Sequence, residues 1–455
     1  MLYLIGNAAL FYLAVKHYSD TGADSAIQIA RGAGACLNLN GALIIVPVCR
    51  GLWSKLRHTF IARLIPIDDL VQAHKFIGFN ILFFSAIHIG AHGYNYWLAG
   101  TDILSVLATT VVGITGIVLV LALYLMVRGY VSRASKRQLF VWTHLLYCVF
   151  IIALILHGPV FWQWLLVPAA LLVIDAVIRL IGKSRQLQIV SLTPLSDGVT
   201  RVMLEKQKAM NFYPGDYIRI KIPAIARTEW HPFTISAAPE SNQFAIHVRN
   251  NGDWSGALHN FSRKKRTPIK KSICYVDGPY SSPTSSIYRS NISVLIAAGI
   301  GVTPFASVLQ SILLRDTKAT KHNAGRQIIY FHWLNRSQKS YEWFTELLAR
   351  AEQQLGESRF QLSIHLTSLS HNLTNIVMQI AIEAYRKRYD KDPLTQLKAK
   401  TSAGRPNWDK IFSDISHQHG NAKVDVYYCG PPTLASTLKV ACRDQGFFFH
   451  QERFD

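Results

Sequence analysis

The sequence predicts a six-helix membrane bundle followed by a soluble module in two parts, an antiparallel β-barrel and then a doubly wound α/β domain. Three observations carry this. The first 180 residues hold nearly all the long apolar runs and contain no glutamate. From about residue 187 the pattern changes to short β-rich segments broken by turn residues, as in a small barrel. From about residue 290 strands alternate with helical stretches, the mark of a parallel sheet covered on both faces. The expected domains are 1–182, 183–288 and 289–455.

Six runs, roughly 2–18, 27–49, 72–94, 104–127, 139–158 and 161–181, each approach the ~20 residues that cross a bilayer, the first being the shortest. The loop after the second run carries Arg50, Lys55, Arg57 and Arg63, and the loop after the fourth carries Arg128, Arg133, Lys136 and Arg137. The loops after the third and fifth runs carry no Lys or Arg. By the positive-inside rule both termini, and with them the soluble module, are expected in the cytosol. The net charge of +21 does not require a nucleic-acid partner, because basic residues collect in these loops and others suit an anionic cofactor. The stretch Arg263 to Lys271 reads as a solvated loop, with membrane-surface contact as the sharper alternative. Six widely spaced cysteines with no C-x-x-C pair speak against zinc, iron–sulfur ligation or a disulfide framework.

Barrel strands are expected in "LQIVSL", "GVTRVMLEK", "GDYIRIKI" and "FAIHVRN", with Pro214-Gly215-Asp216 as a turn. Beyond them "ISVLIAAG", "RQIIYFHWLN", "RFQLSIHLT" and "KVDVYYCG" alternate with helical patterns such as "PFASVLQSILLRD" and "YEWFTELLARAEQQL".

Buried histidines are costly in apolar runs unless partnered. His74 and His88, 14 residues apart, fall on nearly one helix face about 21 Å apart, and His92 lies one turn further on. The fifth run carries His144 and His157. Pairing the two helices sets His74 opposite His144 and His88 opposite His157, the arrangement of axial ligands to two stacked b-type haems. Thirteen ideal helical residues leave His144 and His157 about 140° apart, so the fifth helix must be overwound or tilted. Satisfied core residues or a proton relay remain the alternative.

His231-Pro232-Phe233-Thr234-Ile235-Ser236, followed by Gly252-Asp253-Trp254-Ser255, suits a flavin-binding barrel: a polar strand for the ring system and a helix start for phosphate. Gly299-Ile300-Gly301-Val302-Thr303-Pro304 follows a strand and precedes a helix, as a pyrophosphate-binding turn does. Tyr428-Cys429-Gly430-Pro431-Pro432 ends another strand and can bring a thiol to a nicotinamide ring, although a buried core cysteine reads the same way.

With these segments, "RGAGACLNLNGALIIVPVCR" (31–50), "LHGPVFWQWLLVP" (156–168) and "GRPNW" (404–408), the whole chain resembles the NADPH oxidase family of the ferric reductase-like superfamily, and most its calcium-regulated subclass. The resemblance implies a transmembrane enzyme with a ferredoxin-reductase-like cytosolic module, seated in the plasma membrane. It implies electron flow from NADPH through FAD and two haems to dioxygen, giving superoxide. His74 with His144 and His88 with His157 are then the iron ligands, and Arg31 and His92 belong to the dioxygen site. His231, Pro232, Phe233, Thr234, Arg249, Gly252, Trp254 and Ser255 are expected at FAD. Gly299, Gly301, Thr303, Pro304, Cys429, Gly430 and Pro431 are expected at NADPH, with Arg336 and Arg405 on its 2′-phosphate. Phe454 is expected to stack on the flavin, although Asp455 follows it where family members end on the aromatic. The subclass's EF-hands have no counterpart here, since no D-x-D-x-D-G loop appears. Any regulatory partner or EF-hand segment therefore lies outside this chain. A ferric or cupric metalloreductase of the same fold is the rival function, disfavoured by the short 158–161 loop and its lack of carboxylates.

Overall fold

A computed structural model describes the chain except for residues 1, 58, 134, 182–184, 208–209, 265–272, 319–326, 368–372, 390, 394, 396 and 453–455. It folds as two compact units, Met1–Ile178 and Arg179–Asp455. Most of the basic stretch after Lys264 lies outside the described residues.

In the first unit five helical spans are long and apolar enough to cross a membrane: Ser25–Val48, Ile67–Leu98, Val111–Val131, Gln138–His157 and Phe161–Leu180. Their outward faces carry apolar side chains such as Phe83, Leu121, Ile152 and Val173, each 57–61% exposed, as lipid contact requires. The first predicted run does form a helix, Leu2–Asp20, but it is not among the five. It is fastened to its neighbour by polar groups: Asn40 Nδ2 donates to Asn7 Oδ1 (2.6 Å) and to the Cys36 carbonyl (2.7 Å), and the Tyr3 hydroxyl donates to Asn40 Oδ1. In hydrocarbon such hydrogen bonds join helices that apolar contact alone would not hold in register.

Two boundaries differ from the sequence reading. The fourth run begins as a separate short helix, Ile103–Thr109; Thr110 then takes an extended conformation and accepts the Gly113 amide (2.9 Å), so that it caps the spanning helix Val111–Val131. The fifth predicted run, which is the fourth span, is broken between helices Arg137–His144 and Tyr147–His157. There the Leu146 amide bonds the Thr143 carbonyl and the Cys148 amide the Leu145 carbonyl, both at 3.2 Å and both in the i→i−3 pattern. Such a turn advances about 20° more per residue than an α-helix. Over the few residues of the break this supplies about 40–60° of the roughly 140° that separates His144 from His157 in an ideal helix.

The second unit holds two sheets. The first comprises β1 (Arg185–Pro194), β2 (Val199–Glu205), β3 (Tyr217–Lys221), β4 (His231–Thr234), β5 (Gln243–Arg249) and β6 (Ile273–Tyr280). It is antiparallel, in the order β4-β3-β6-β1-β2-β5. The Ser236 amide bonds the Ala245 carbonyl (2.8 Å), so the chain just past β4 nearly closes the barrel onto β5. The second comprises β7 (Ile292–Ala298), β8 (Ile328–Asn335), β9 (Phe360–Leu366), β10 (Lys400–Ala403), β11 (Val424–Cys429) and β12 (Phe448–Glu452). It is wholly parallel, in the order β10-β9-β8-β7-β11-β12. Strand order reverses between β7 and β11, and ligands of open α/β sheets bind outside the carboxyl ends at such a point.

Hydrogen bonds join barrel and sheet on two sides, among other contacts. Glu240 accepts from Ser311 Oγ and Arg315 Nε, both at 2.5 Å, while the Ala238 amide bonds Gln310 Oε1 (2.7 Å). On the other side Trp343 Nε1 donates to the Ser196 carbonyl (3.0 Å), and Ser340 donates to Asp197.

This unit also buries imidazoles. His332 and His365 stack at 5.6 Å beside Trp408, sharing one hydrogen bond of 3.3 Å. Burial lowers His332 and His247 to about 3 and His365 to about 4. Unfolded, these rings take up protons near 6.5, so between that value and 3–4 the unfolded chain holds more protons. Stability is then complete above pH 6.5 and falls as pH drops, by up to about 2 kcal/mol per histidine at pH 5. Thermal unfolding of the full chain should show this acid loss, and replacing His332 and His365 together by leucine should flatten it.

Candidate functional site

Two ring pairs lie between the second and fourth spans. His74 and His144 stand 6.0 Å apart between ring centroids, with planes at 70°. His88 and His157 stand 6.2 Å apart, at 68°. Metal–imidazole bonds of about 2.0–2.1 Å on opposite sides of one ion bring ring centroids about 6 Å apart, so each pair has the right span. Second contacts fix which nitrogen is available. His74 Nδ1 faces the Ile44 carbonyl (2.9 Å), His88 Nδ1 the Ala30 carbonyl (2.9 Å) and His157 Nδ1 the Val112 carbonyl (3.1 Å). A carbonyl only accepts, so Nδ1 carries the proton and Nε2 keeps the lone pair.

Small residues clear the space around these rings. A Cβ on Gly34 would lie 3.6 Å from His88 Cε1, and one on Gly116 would lie 3.4 Å from His157 Cε1. Among the described residues no three His, Cys, Asp or Glu side chains converge on a common point. Two nitrogens are too few to hold a bare ion, but they suffice for an iron whose other four ligands come from a porphyrin. The residues present fit haem.

The His92 ring is 4.6 Å from that of His88, which brings it to the His88–His157 pair. Arg31 follows Ala30, the residue whose carbonyl holds His88; its own side chain is exposed and lies over Tyr18 at 5.3 Å.

In the barrel, Trp254 is buried and packs between His231 (4.4 Å, 26°) and Phe233 (5.7 Å, 25°). It thereby fixes the outer strand β4 to the start of helix Asp253–Arg263. His231 also meets Glu229 at 3.0 Å, and Thr234 is buried opposite Tyr217. Ser255 Oγ accepts from the amides of Asn251 and Gly252, both at 3.0 Å, while Gly252 offers no side-chain cap. Uncapped first-turn amides and the helix dipole suit a phosphate. These residues fit a flavin nucleotide.

At the sheet's switch point two loops interlock. A Cβ on Gly301 would lie 2.2 Å from the Cys429 carbonyl oxygen, and one on Gly430 would lie 2.6 Å from Ala298 Cβ. Only glycine allows the turns after β7 and β11 to approach so closely. Gly299, at φ +58°, has Arg249 Nη1 within 3.1 Å of where its Cβ would stand, and its carbonyl accepts from Trp333 Nε1 (3.2 Å). Arg249 in turn meets Asp197 at 3.7 Å. Thr303 begins the helix Thr303–Lys318 with Pro304 behind it, and the Pro431 carbonyl accepts from the Tyr428 hydroxyl (2.7 Å). Burial raises the Cys429 thiol well above its ordinary range, so it stays a neutral S–H. Arg336 and Arg405 are exposed just past the carboxyl ends of β8 and β10, two strands apart and so about 10 Å from each other. Phe454 lies outside the described residues.

The sequence reading missed the three carbonyls behind the histidines, which have no sequence signal, and Thr115, whose hydroxyl is 3.1 Å from His157 Nδ1. A threonine between two glycines in an apolar run was the available hint for the latter.

The second unit matches two family descriptions, the FAD-binding domain over residues 184–284 and the ferric reductase NAD binding domain over residues 290–443. NADPH oxidase 5 of Homo sapiens is 34% identical over 520 aligned positions, covering 98% of this chain and 68% of that protein. NADPH oxidase 1 of Rattus norvegicus is 31% identical, covering 96% of this chain and 93% of its own. A superoxide-generating NADPH oxidase heavy chain of Dictyostelium discoideum is 30% identical, covering all of this chain and 96% of its own.

Gly301→Ala should cut NADPH-driven flavin reduction at least tenfold, because the new methyl meets backbone that cannot give way. Haem content, set in the other unit, should not change. Anaerobic stopped-flow bleaching of the flavin and a pyridine haemochrome assay measure the two.

Proposed function

This chain belongs to the NADPH oxidase family, and from that premise we propose that it carries electrons from NADPH through FAD and two b-type haems to dioxygen, releasing superoxide. It is a membrane oxidoreductase. The carrying observation is the pairing of four histidines at 6.0 and 6.2 Å, three of them with Nδ1 already held by a backbone carbonyl. A flavin and two haems, when bound, turn a two-electron hydride donor into single electrons.

The chain's own residues bind and orient. Gly299, Gly301 and the helix beginning at Thr303 form the pyrophosphate seat, and Cys429 and Gly430 bound the place for the nicotinamide. Arg336 and Arg405 meet the 2′-phosphate with forked guanidinium groups. His231, Phe233, Thr234 and the turn Gly252–Ser255 hold FAD, with Arg249 reaching from the barrel toward the glycine loop. His74 with His144 and His88 with His157 take the iron atoms. His92 supplies a hydrogen bond and Arg31 a positive charge where the oxygen anion develops. The loop charges support cytosolic termini and an outward-facing His88–His157 pair, and the family resemblance points to a plasma membrane.

His88→Leu and His157→Leu should each leave one haem per chain by the pyridine haemochrome assay. Superoxide output should vanish while NADPH still reduces the flavin. Two haems retained in either variant would overturn the ligand pairing. Assaying ferric reduction alongside superoxide separates the oxidase from the metalloreductase reading.

Arg336→Ala and Arg405→Ala should raise KM for NADPH roughly ten- to hundredfold, the worth of a charge-assisted contact, with far less effect on NADH. Equal losses with both nucleotides would remove these arginines from the 2′-phosphate.

A further inference from the structure

The four histidines are not backed alike. His74 and His88 each have one carbonyl behind Nδ1. His157 has two oxygens there, the Val112 carbonyl and Thr115 Oγ1, both at 3.1 Å. For His144 the described residues provide no hydrogen bond to a ring nitrogen. Thr115 is buried, and its hydroxyl stands 2.6 Å from the Val111 carbonyl, which can only accept. The hydroxyl proton is therefore committed to Val111, and the oxygen's lone pair is what faces His157 Nδ1–H. Gly116, the next residue, borders the same ring at Cε1. The helix Val111–Val131 thus grips His157 through two acceptors and one close backbone contact.

A hydrogen bond from Nδ1–H makes an imidazole a stronger donor to iron and favours the ferric state, so it lowers the reduction potential. Among the described residues both rings of the outer pair have such support, but only one of the inner pair. We propose that Thr115 is a positioning residue for His157: accepting from its Nδ1–H, it holds the outer haem at a lower reduction potential than the inner one. The inference rests on the haem reading above. Its functional sense is direct. One-electron transfer to dioxygen consumes no proton and needs a strongly reducing donor, and extra donation from His157 supplies one at the outer site. A threonine hydroxyl bonded back to its own helix is common in membrane spans and can be merely structural, so the test must read a potential.

Spectroelectrochemical titration of the purified full chain resolves the two haems, and His157→Leu identifies the outer one by its loss. Thr115→Val keeps the shape and removes the acceptor. At a fixed applied potential the ferric-to-ferrous ratio of the outer haem should fall threefold to tenfold, tenfold being about 59 mV for a one-electron couple. The inner haem should not move, and Thr115→Ser should keep wild-type values. Unchanged midpoints in Thr115→Val with both haems bound, or equal shifts at both, would overturn the proposal. If Thr115→Val loses the outer haem, Thr115→Ala and Thr115→Ser decide. Loss or an upward shift in the alanine variant with retention in the serine variant supports the hydroxyl's role, and loss in the serine variant overturns it. Two haems persisting in His157→Leu would instead bring down the ligand reading, and this proposal with it.

Discussion

An imidazole has two nitrogens, and only one of them can face a metal. The membrane half of this protein is organised around that constraint. Ile44, Ala30 and Val112 each give a backbone carbonyl to an Nδ1, which leaves three Nε2 lone pairs directed between the second and fourth spans. A carbonyl inside a helix is normally committed to its own i+4 amide, but its second lone pair stays free to accept. In hydrocarbon no water can take over this orienting role, so the helices themselves must carry it. The depth of each histidine, the glycines beside the rings and the break at Leu145–Leu146 all follow from the need to bring two such rings about 6 Å apart.

The soluble half meets a different constraint with a similar economy of atoms. A dinucleotide needs backbone amides close to its phosphates and two strand ends close to each other. Gly301 against Cys429 and Gly430 against Ala298 achieve the second requirement by having no side chain at all. The hydrogen bonds accepted by Glu240 and Ser196 then fix the barrel against the sheet, so the segment at Trp254 and the glycine loop share one frame. Arg249 borders both, meeting Asp197 at the barrel's first turn and lying beside Gly299 at the carboxyl end of the central strand β7.

The two halves also differ in how they tolerate polar groups. In the membrane unit the Tyr3–Asn40–Asn7 chain and Asp175, which accepts the Leu52 amide at 2.9 Å, are fully engaged in joining helices. In the soluble unit His332 and His365 are buried neutral with one shared hydrogen bond. That arrangement is stable at neutral pH and a liability in acid.

The sequence by itself determined the class of every part. Apolar runs marked the spans, the 14-residue spacing of His74 and His88 marked one helix face carrying both rings, and glycine turns after strands marked the carboxyl end of the parallel sheet. These features are local, set by composition and period within one element. Tertiary structure decided what no single element contains. The phase of His144 against His157 depended in part on i→i−3 bonds that leave no residue signature. The short edge strands β10 and β12 are strands only because a neighbour pairs with them. The conjunction of Gly301 with Cys429 required strands 132 residues apart in the chain to lie side by side. The tautomer of each histidine was set by carbonyls, which every residue possesses and which therefore say nothing in a sequence until the fold chooses among them.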